Sequence, residues 1–182
     1  MSVYLQAPLA GADLEKLAGL KAGDRILLNG VIYTARDAAH RRMAQALERG
    51  GELPFPLKGA VIFYAGPTPA SEGRPAGSIG PTTAARMDPF TMPLLERGLK
   101  GAIGKGPRAP EVKEAFARFG AIYMVAVGGV AALLGSRVRA SEPVAYPELG
   151  PEAISRLLVV EMPLFVAYDL QGGDIFQAMR TE

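Results

Sequence analysis

Short apolar runs alternate with amphipathic segments through the middle of the chain, and this pattern predicts alternating strands and helices. The runs 60–64, 102–103 and 122–127 are continuous and apolar, as strands buried on both faces are. Segments 39–47 and 111–119 repeat apolar residues at helical spacing. Strands that alternate with helices favour an α/β domain, and the hairpin-like runs toward both ends favour a mixed sheet.

The dipeptide Asn29-Gly30 predicts a hairpin near the start of the chain. It joins the apolar runs 25–28 and 31–33, and Asn-Gly tolerates the positive φ angles of a two-residue turn. Further strands are predicted at 137–146 and 157–168.

The pattern divides the chain into an N-terminal arm, residues 1–20, and a single domain, residues 21–182. Within the domain, Thr34 and Asp37 predict a variant capping box at the start of a helix. Asp88-Pro89 predicts the start of a later helix.

Composition narrows the classes of function. Apolar residues make up 49% and charged residues 21% of the 182 residues, which is typical of a globular domain. The net charge is only +2 and no long basic run is present, so we expect no nucleic-acid binding. There is no cysteine and one histidine, so we expect this chain to hold no metal of its own.

Two stretches bear on location. Residues 1–5 lack the basic and apolar regions of a signal peptide. The most apolar run, 122–134, is too short to span a bilayer. We therefore expect a cytoplasmic protein without membrane association.

Polar residues follow three predicted strands in turns that contain or adjoin small residues. Arg36, Arg86 and Lys105 are the cations of these turns, and together they suit a dicarboxylate. Thr82 and Thr83 add hydroxyl groups, although a threonine needs a neighbouring group to act as a base.

Simpler interpretations stay open for each of these residues. An arginine in the first turn of a helix is usually a surface or ion-pair residue. A Gly-Pro-Thr-Thr turn is usually only a turn, and His40 is more often a structural hydrogen-bonding group than a catalyst. Spacing alone therefore supports an α/β domain with a candidate anion site.

The same segments, taken together and in order, resemble the β subunit of class I fumarases and the related tartrate dehydratases, or the C-terminal domain of single-chain members. The resemblance covers about residues 10–176. The matching stretches are 23–30, 33–40, 66–67, 80–83, 86–88, 104–106, 125–129, 145–150 and 152–154.

The resemblance implies a swivelling β/β/α three-layer domain that works with a larger α subunit. In this family the α subunit carries the cysteines that hold a [4Fe-4S] cluster, whose open iron acts as a Lewis acid. The implied reaction is the reversible hydration of fumarate to (S)-malate, a step of the tricarboxylic acid cycle, in a hetero-oligomer. This chain is then inactive alone.

Residue by residue, the resemblance assigns substrate-carboxylate binding to Arg36, Arg86 and Lys105, and handling of the C3 proton to Thr82. Ala84 departs from the serine that many relatives have at this position. A tartrate dehydratase or another 2-hydroxy-dicarboxylate hydro-lyase is the alternative substrate class. A non-catalytic binding domain of the same fold is the alternative of another kind.

Overall fold

A computed structural model describes residues 2–70, 72–126 and 129–178 of the chain. Seven strands in these ranges form one mixed sheet flanked by helices, in the order β1-β2-β3-β4-β5-β7-β6. This confirms the predicted α/β class with a mixed sheet. No helix in these ranges is both long enough and apolar enough to cross a membrane.

The strands and helices follow one another along the chain as the apolar pattern suggests. The strands are β1 (Ser2–Ala7), β2 (Arg25–Thr34), β3 (Val61–Phe63), β4 (Gly101–Gly104), β5 (Ile122–Val125), β6 (Val138–Ala145) and β7 (Ile154–Tyr168). The α-helices are α1 (Ala12–Gly19), α2 (Asp37–Glu48), α3 (Asp88–Glu96), α4 (Pro110–Arg118), α5 (Ala131–Ser136) and α6 (Ile175–Ala178). Two 3₁₀ segments lie at Ala84–Met87 and Pro147–Glu152.

Strand pairing closes part of the sheet into a ring. Strands β1 to β5 pair in parallel in the order of the chain. The long strand β7 runs antiparallel and pairs with both β5 and β2, so that β2, β3, β4, β5 and β7 form a closed circuit. Strands β1 and β6 lie outside this circuit, paired with β2 and β7 respectively.

Both faces of the ring are buried, which explains the continuous apolar runs. Val61 and Phe63 belong to a core cluster to which all seven strands contribute. Ile62, whose side chain points to the opposite face, packs in a second cluster with residues of α2, α3 and α4. A strand covered on both faces has no polar side to alternate with.

The predicted hairpin at Asn29-Gly30 is wrong. Residues 25–34 form one ten-residue strand, which pairs with β1 on one side and β7 on the other. Gly30 has φ 94° but uses it in a bulge against β7, and the Asn29 side chain accepts a hydrogen bond from the Glu161 backbone N–H at 2.9 Å. The Asn-Gly signal therefore marks a bulge here, because two partner strands hold the chain extended.

The first twenty residues, expected as an arm, contribute β1 and α1 to the folded core. Leu5, Leu9 and Leu17 are each buried. Strand β1 pairs along its full length with Arg25–Gly30.

The predicted capping box of α2 is also wrong. The Thr34 hydroxyl does not cap the helix; it accepts a hydrogen bond from the Ser155 backbone N–H at 3.0 Å. Thr34 is the last residue of β2 and is buried, so its hydroxyl satisfies the neighbouring strand β7. Helix α2 begins at Asp37, with Arg36 as its N-terminal flanking residue.

Candidate active site

The carboxyl ends of β2, β3 and β4 meet at one edge of the sheet, because these neighbouring strands are parallel. Arg36 lies just beyond β2, and Lys105 follows β4 directly. Pro81 and Thr82 lie beside the residues that follow β3, since Pro81 bridges Ala65. Strand ends at such an edge are where α/β proteins usually bind ligands.

Thr82 and Lys105 are held next to each other by the backbone. The Thr82 carbonyl accepts from the Lys105 N–H at 3.1 Å, and the Lys105 carbonyl accepts from the Ala84 N–H at 2.9 Å. The Thr82 N–H in turn donates to the Tyr64 carbonyl at 2.7 Å. Residues 81–84 thus extend the edge as a short strip between the ends of β3 and β4.

Arg86 projects from the 3₁₀ turn Ala84–Met87 that follows this strip. Ala84 and Met87 are buried and anchor the turn, whereas Arg86 and Lys105 are exposed. Within the described part of the chain, neither cation is paired with a carboxylate. Two unpaired cations on adjoining segments can bind an anionic group.

Arg36 is in a different state, since carboxylates already contact it. Its Nε lies 3.1 Å from Glu152 Oε1 and 3.4 Å from Asp37 Oδ2, and its side chain is 28% exposed. Its stem passes beneath Gly66, where a Cβ atom would lie 3.6 Å from Arg36 Cδ. A ligand carboxylate at this position would compete with Glu152.

The structure therefore joins the backbone segment of Thr82 and Arg86 to that of Lys105, and it places Arg36 one strand away at the same edge. That the three cations converge on one ligand stays a prediction. The stretch 125–129, matched by resemblance, begins at the last residue of β5, and Val127 and Gly128 lie outside the described residues.

His40 is buried behind Arg36. Its Nδ1 lies 3.1 Å from the Arg36 carbonyl oxygen, and its ring meets Tyr64 edge-on at 5.3 Å. Burial lowers the pKa of His40 to about 4, so the ring is neutral at pH 7 and Nδ1–H donates to the carbonyl. This geometry fits the structural role rather than the catalytic one.

Sequence reasoning missed Arg108. Its guanidinium is fully buried, and its Nε donates to Asp88 Oδ1. Burial disfavours the charge, but Tyr64 and Asp88 raise the pKa of Arg108, so it stays cationic. A lone arginine after Gly-Pro carries no periodic signal, and Asp88-Pro89 predicts only the start of a helix.

The Gly/Pro-rich loop 66–80 borders the Arg36 side of the edge. A hydrogen bond from the Thr68 N–H to the Ser78 carbonyl oxygen, 3.0 Å long, holds two parts of this loop together. Ile79, near the end of the loop, is fully buried. A cavity of about 350 Å³ lies between this loop, Pro151 and Ser155. The cavity does not include Thr82, which is partly buried, or Arg86 and Lys105, which are exposed.

The fold and this edge define a class of protein: an α/β domain with a closed ring of strands that presents cations and hydroxyls at one strand edge. The family model described as "Fumarase C-terminus" matches residues 2–179. The chain belongs to the fumarase C-terminus family.

Relatives of two kinds match the chain. It is 38% identical over 170 residues to "Fumarate hydratase class I, aerobic" of Salmonella typhimurium, covering 92% of this chain and 29% of that protein. It is 38% identical over 185 residues to "Putative L(+)-tartrate dehydratase subunit beta" of Methanocaldococcus jannaschii, covering 98% and 93%. For "L(+)-tartrate dehydratase subunit beta" of Escherichia coli the identity is 34% over 180 residues, covering 96% and 87%.

The chain thus spans about three tenths of the fumarate hydratases it matches, and most of the β subunits.

Proposed function

We propose that this chain is the β subunit of a class I fumarate hydratase and supplies substrate-binding and proton-transfer residues for the reversible hydration of fumarate to (S)-malate. The observation that carries the proposal is the placement of Thr82, Arg86 and Lys105 on two segments joined by backbone hydrogen bonds, in a chain of this family.

Carboxylate binding falls to the cations of the edge. Arg86 and Lys105 are exposed, and neither has a carboxylate partner to give up among the described residues. Arg36 must exchange Glu152 for the second carboxylate, and its planar fork suits a two-pronged contact. A dianion held between these groups is oriented at both ends.

Proton transfer at C3 falls to Thr82. It is partly buried and lies beside Lys105, four residues before Arg86. A threonine hydroxyl is a poor base at neutral pH, so it needs an activating group. We assign that group to the partner subunit.

The iron–sulfur cluster that the family reaction requires does not fit this chain. The sequence offers no thiolate, and no described group of His, Asp or Glu side chains is arranged to hold a metal ion. We therefore assign the [4Fe-4S] cluster to a cysteine-containing α subunit, with this chain inactive alone in a hetero-oligomer. The matches to two relatives named β subunits support this division.

The fold is proposed to be the swivelling β/β/α domain of this family. The two core clusters, one shared by all strands and one beneath the helices, support a layered arrangement. A swivel would let the edge close onto the α subunit.

L(+)-tartrate is the second candidate substrate. It is favoured by the near full-length match to the Methanocaldococcus jannaschii subunit of that name, at 38% identity, which equals the identity to the Salmonella typhimurium fumarate hydratase. One extra hydroxyl is often a weak basis for discrimination, so the fold alone does not separate the two.

The test is reconstitution with a cysteine-containing α subunit. Hydration and dehydration would be assayed with fumarate, (S)-malate and L(+)-tartrate, and each subunit would be assayed alone. We expect turnover of fumarate only when both subunits are present. Turnover of L(+)-tartrate in preference to fumarate would select the second candidate, and no turnover of any dicarboxylate would favour a non-catalytic binding domain.

A further inference from the structure

A buried ion pair connects the two segments that carry the candidate site. The Arg108 side chain is 0% exposed, and its Nε donates to Asp88 Oδ1. Its Nη2 donates to the Thr91 hydroxyl at 2.7 Å. Three aromatic rings have centroids within 5.5 Å of its Cζ: Tyr64, Phe116 and Tyr123.

Asp88 is the point at which the segments join. It lies two residues after Arg86, and its Oδ2 accepts from the Ala109 backbone N–H at 2.9 Å. Arg108 and Ala109 follow Lys105 by three and four residues. The segment of Arg86 and the segment of Lys105 are therefore tied at this end by two charge-assisted hydrogen bonds.

At the other end, the same two segments are joined by the backbone bonds between Lys105 and the strip that contains Thr82 and Ala84. Arg86 lies between the two ties, and the backbone of Lys105 itself forms the second one. The backbone separation of Arg86 and Lys105 is thus fixed on both sides.

Further contacts hold the turn of Gly104, Lys105 and Gly106 in place. The Tyr123 hydroxyl donates to the Gly106 carbonyl at 2.8 Å. A Cβ atom on Gly104 would lie 2.8 Å from Ala84 Cβ and 3.1 Å from the Tyr123 hydroxyl. Contacts this close leave no room for a Cβ atom at position 104, so this backbone path depends on glycine.

A contribution to folding stability is a weak explanation for the presence of a buried ion pair. Desolvating two charges is costly, and replacing a buried ion pair by apolar or neutral groups of similar size is often neutral or stabilising. What apolar groups cannot reproduce is the directional link from Asp88 to both the guanidinium and the Ala109 N–H.

We propose that Arg108 is a positioning residue: through Asp88 it fixes the spacing between Arg86 and Lys105, and thereby the fit of the dicarboxylate. This inference rests on the proposed function. Arg108 itself does not touch the substrate, since its guanidinium is enclosed by protein groups.

The test uses the reconstituted two-subunit enzyme with the double variant Asp88→Asn, Arg108→Met. Asparagine keeps an acceptor for the Ala109 N–H, and methionine fills the aromatic enclosure. We expect a thermal midpoint near that of the parent enzyme, because the pair is replaced as a unit. The KM for fumarate should rise about tenfold or more, since small misplacements of binding groups have effects of this order.

A matched control is the double variant Asp174→Asn, Lys113→Met. This pair is also shielded from solvent, with Nζ 3.1 Å from Oδ2, but it does not join the two segments. Its KM should stay within about twofold of the parent. Arg108→Lys, which keeps the charge and loses the fork, should also raise KM.

A folded Asp88→Asn, Arg108→Met enzyme with unchanged KM overturns the proposal. If that variant does not fold, Arg108→Lys decides, because it leaves Asp88 and the buried charge in place and removes only the planar fork that holds Asp88. KM should then rise at least threefold, and an unchanged KM overturns the proposal.

If the unmodified two-subunit enzyme is inactive on every four-carbon dicarboxylate, the proposed function is rejected instead. In that case amide hydrogen exchange at Ala84 and Lys105 decides the positioning role separately. Faster exchange in the Arg108 variant supports it, and unchanged exchange overturns it.

Discussion

Acidification should destabilise this chain through one residue, His40. It is the only histidine in the sequence, and it is 1% exposed. Burial is the main cause that lowers its pKa from 6.5 to about 4. The hydrogen bond to the Arg36 carbonyl raises the pKa, whereas the charge of Arg108 lowers it further. The perturbation is a change of pH from 7 to about 4.5.

The sign and size follow from the two pKa values. The unfolded chain binds the proton near pH 6.5, and the folded chain binds it only near pH 4, so the unfolded state holds more protons between these values. Stability is therefore greatest above about pH 6.5 and falls as the pH approaches 4. Full protonation of His40 lowers the free energy of unfolding by roughly 3 kcal/mol. A drop from pH 7 to about pH 4.5 lowers it by roughly 2.5 kcal/mol.

The assay is urea denaturation of the chain at both pH values, compared with His40→Gln. The variant removes the titrating ring and leaves all carboxyl groups in place, so it serves as the reference for acid effects from other residues. We expect the free energy of unfolding of the parent to fall by about 2.5 kcal/mol more than that of the variant. The parent's single histidine also gives a single Hε1 signal by NMR, which should not titrate until the pH is below about 5.

Titration of that signal near pH 6.5 would refute the reasoning. So would an equal loss of stability in the parent and the variant. Either result would mean that water reaches Nε2, for which no hydrogen-bond partner is found among the described residues.

Three further predictions concern the sheet and the site. Gly30→Ala should lower the free energy of unfolding by roughly 3 kcal/mol or more in urea denaturation, since the new Cβ would overlap a β1 carbonyl oxygen. The control is Gly23→Ala, which has nearly the same φ but no atom within 4 Å of its Cβ, and it should cost only about 1 kcal/mol. Arg86→Lys should raise the KM for fumarate about tenfold in steady-state assays of the two-subunit enzyme, because an ammonium lacks the fork, and an unchanged KM would remove Arg86 from the site. Thr82→Ala should lower kcat at least about 100-fold with little change in KM, whereas Thr83→Ala should be mild; a larger kcat loss in Thr83→Ala would move the proton-transfer role to Thr83.

The apolar pattern predicted the central strands well because both faces of the ring are buried. Runs such as 60–64 contain no polar position, and such runs have few other interpretations in a chain of this size. The pattern failed at Asn29-Gly30, where local turn chemistry favours a hairpin. Pairing with β1 and β7, which are distant in the sequence, decided otherwise.

The candidate site also contains residues that the sequence indicated and residues that it did not. Positions after predicted strands indicate Arg36, Arg86 and Lys105, and the structure places Arg36 and Lys105 at one sheet edge, with Arg86 in the turn that follows the Thr82 strip. Thr82 took its role from family resemblance. The Arg108–Asp88 pair had no local signal, because its significance comes from a contact between α3 and the turn before α4.

The measurement that tests the central claim most directly is a crystal structure of the two-subunit complex with a bound four-carbon dicarboxylate. We predict that Arg36, Arg86 and Lys105 contact the two carboxylates, that Glu152 has released Arg36, and that the Thr82 hydroxyl faces C3. A dicarboxylate held entirely by the partner subunit, with these four side chains turned to solvent, would contradict the account.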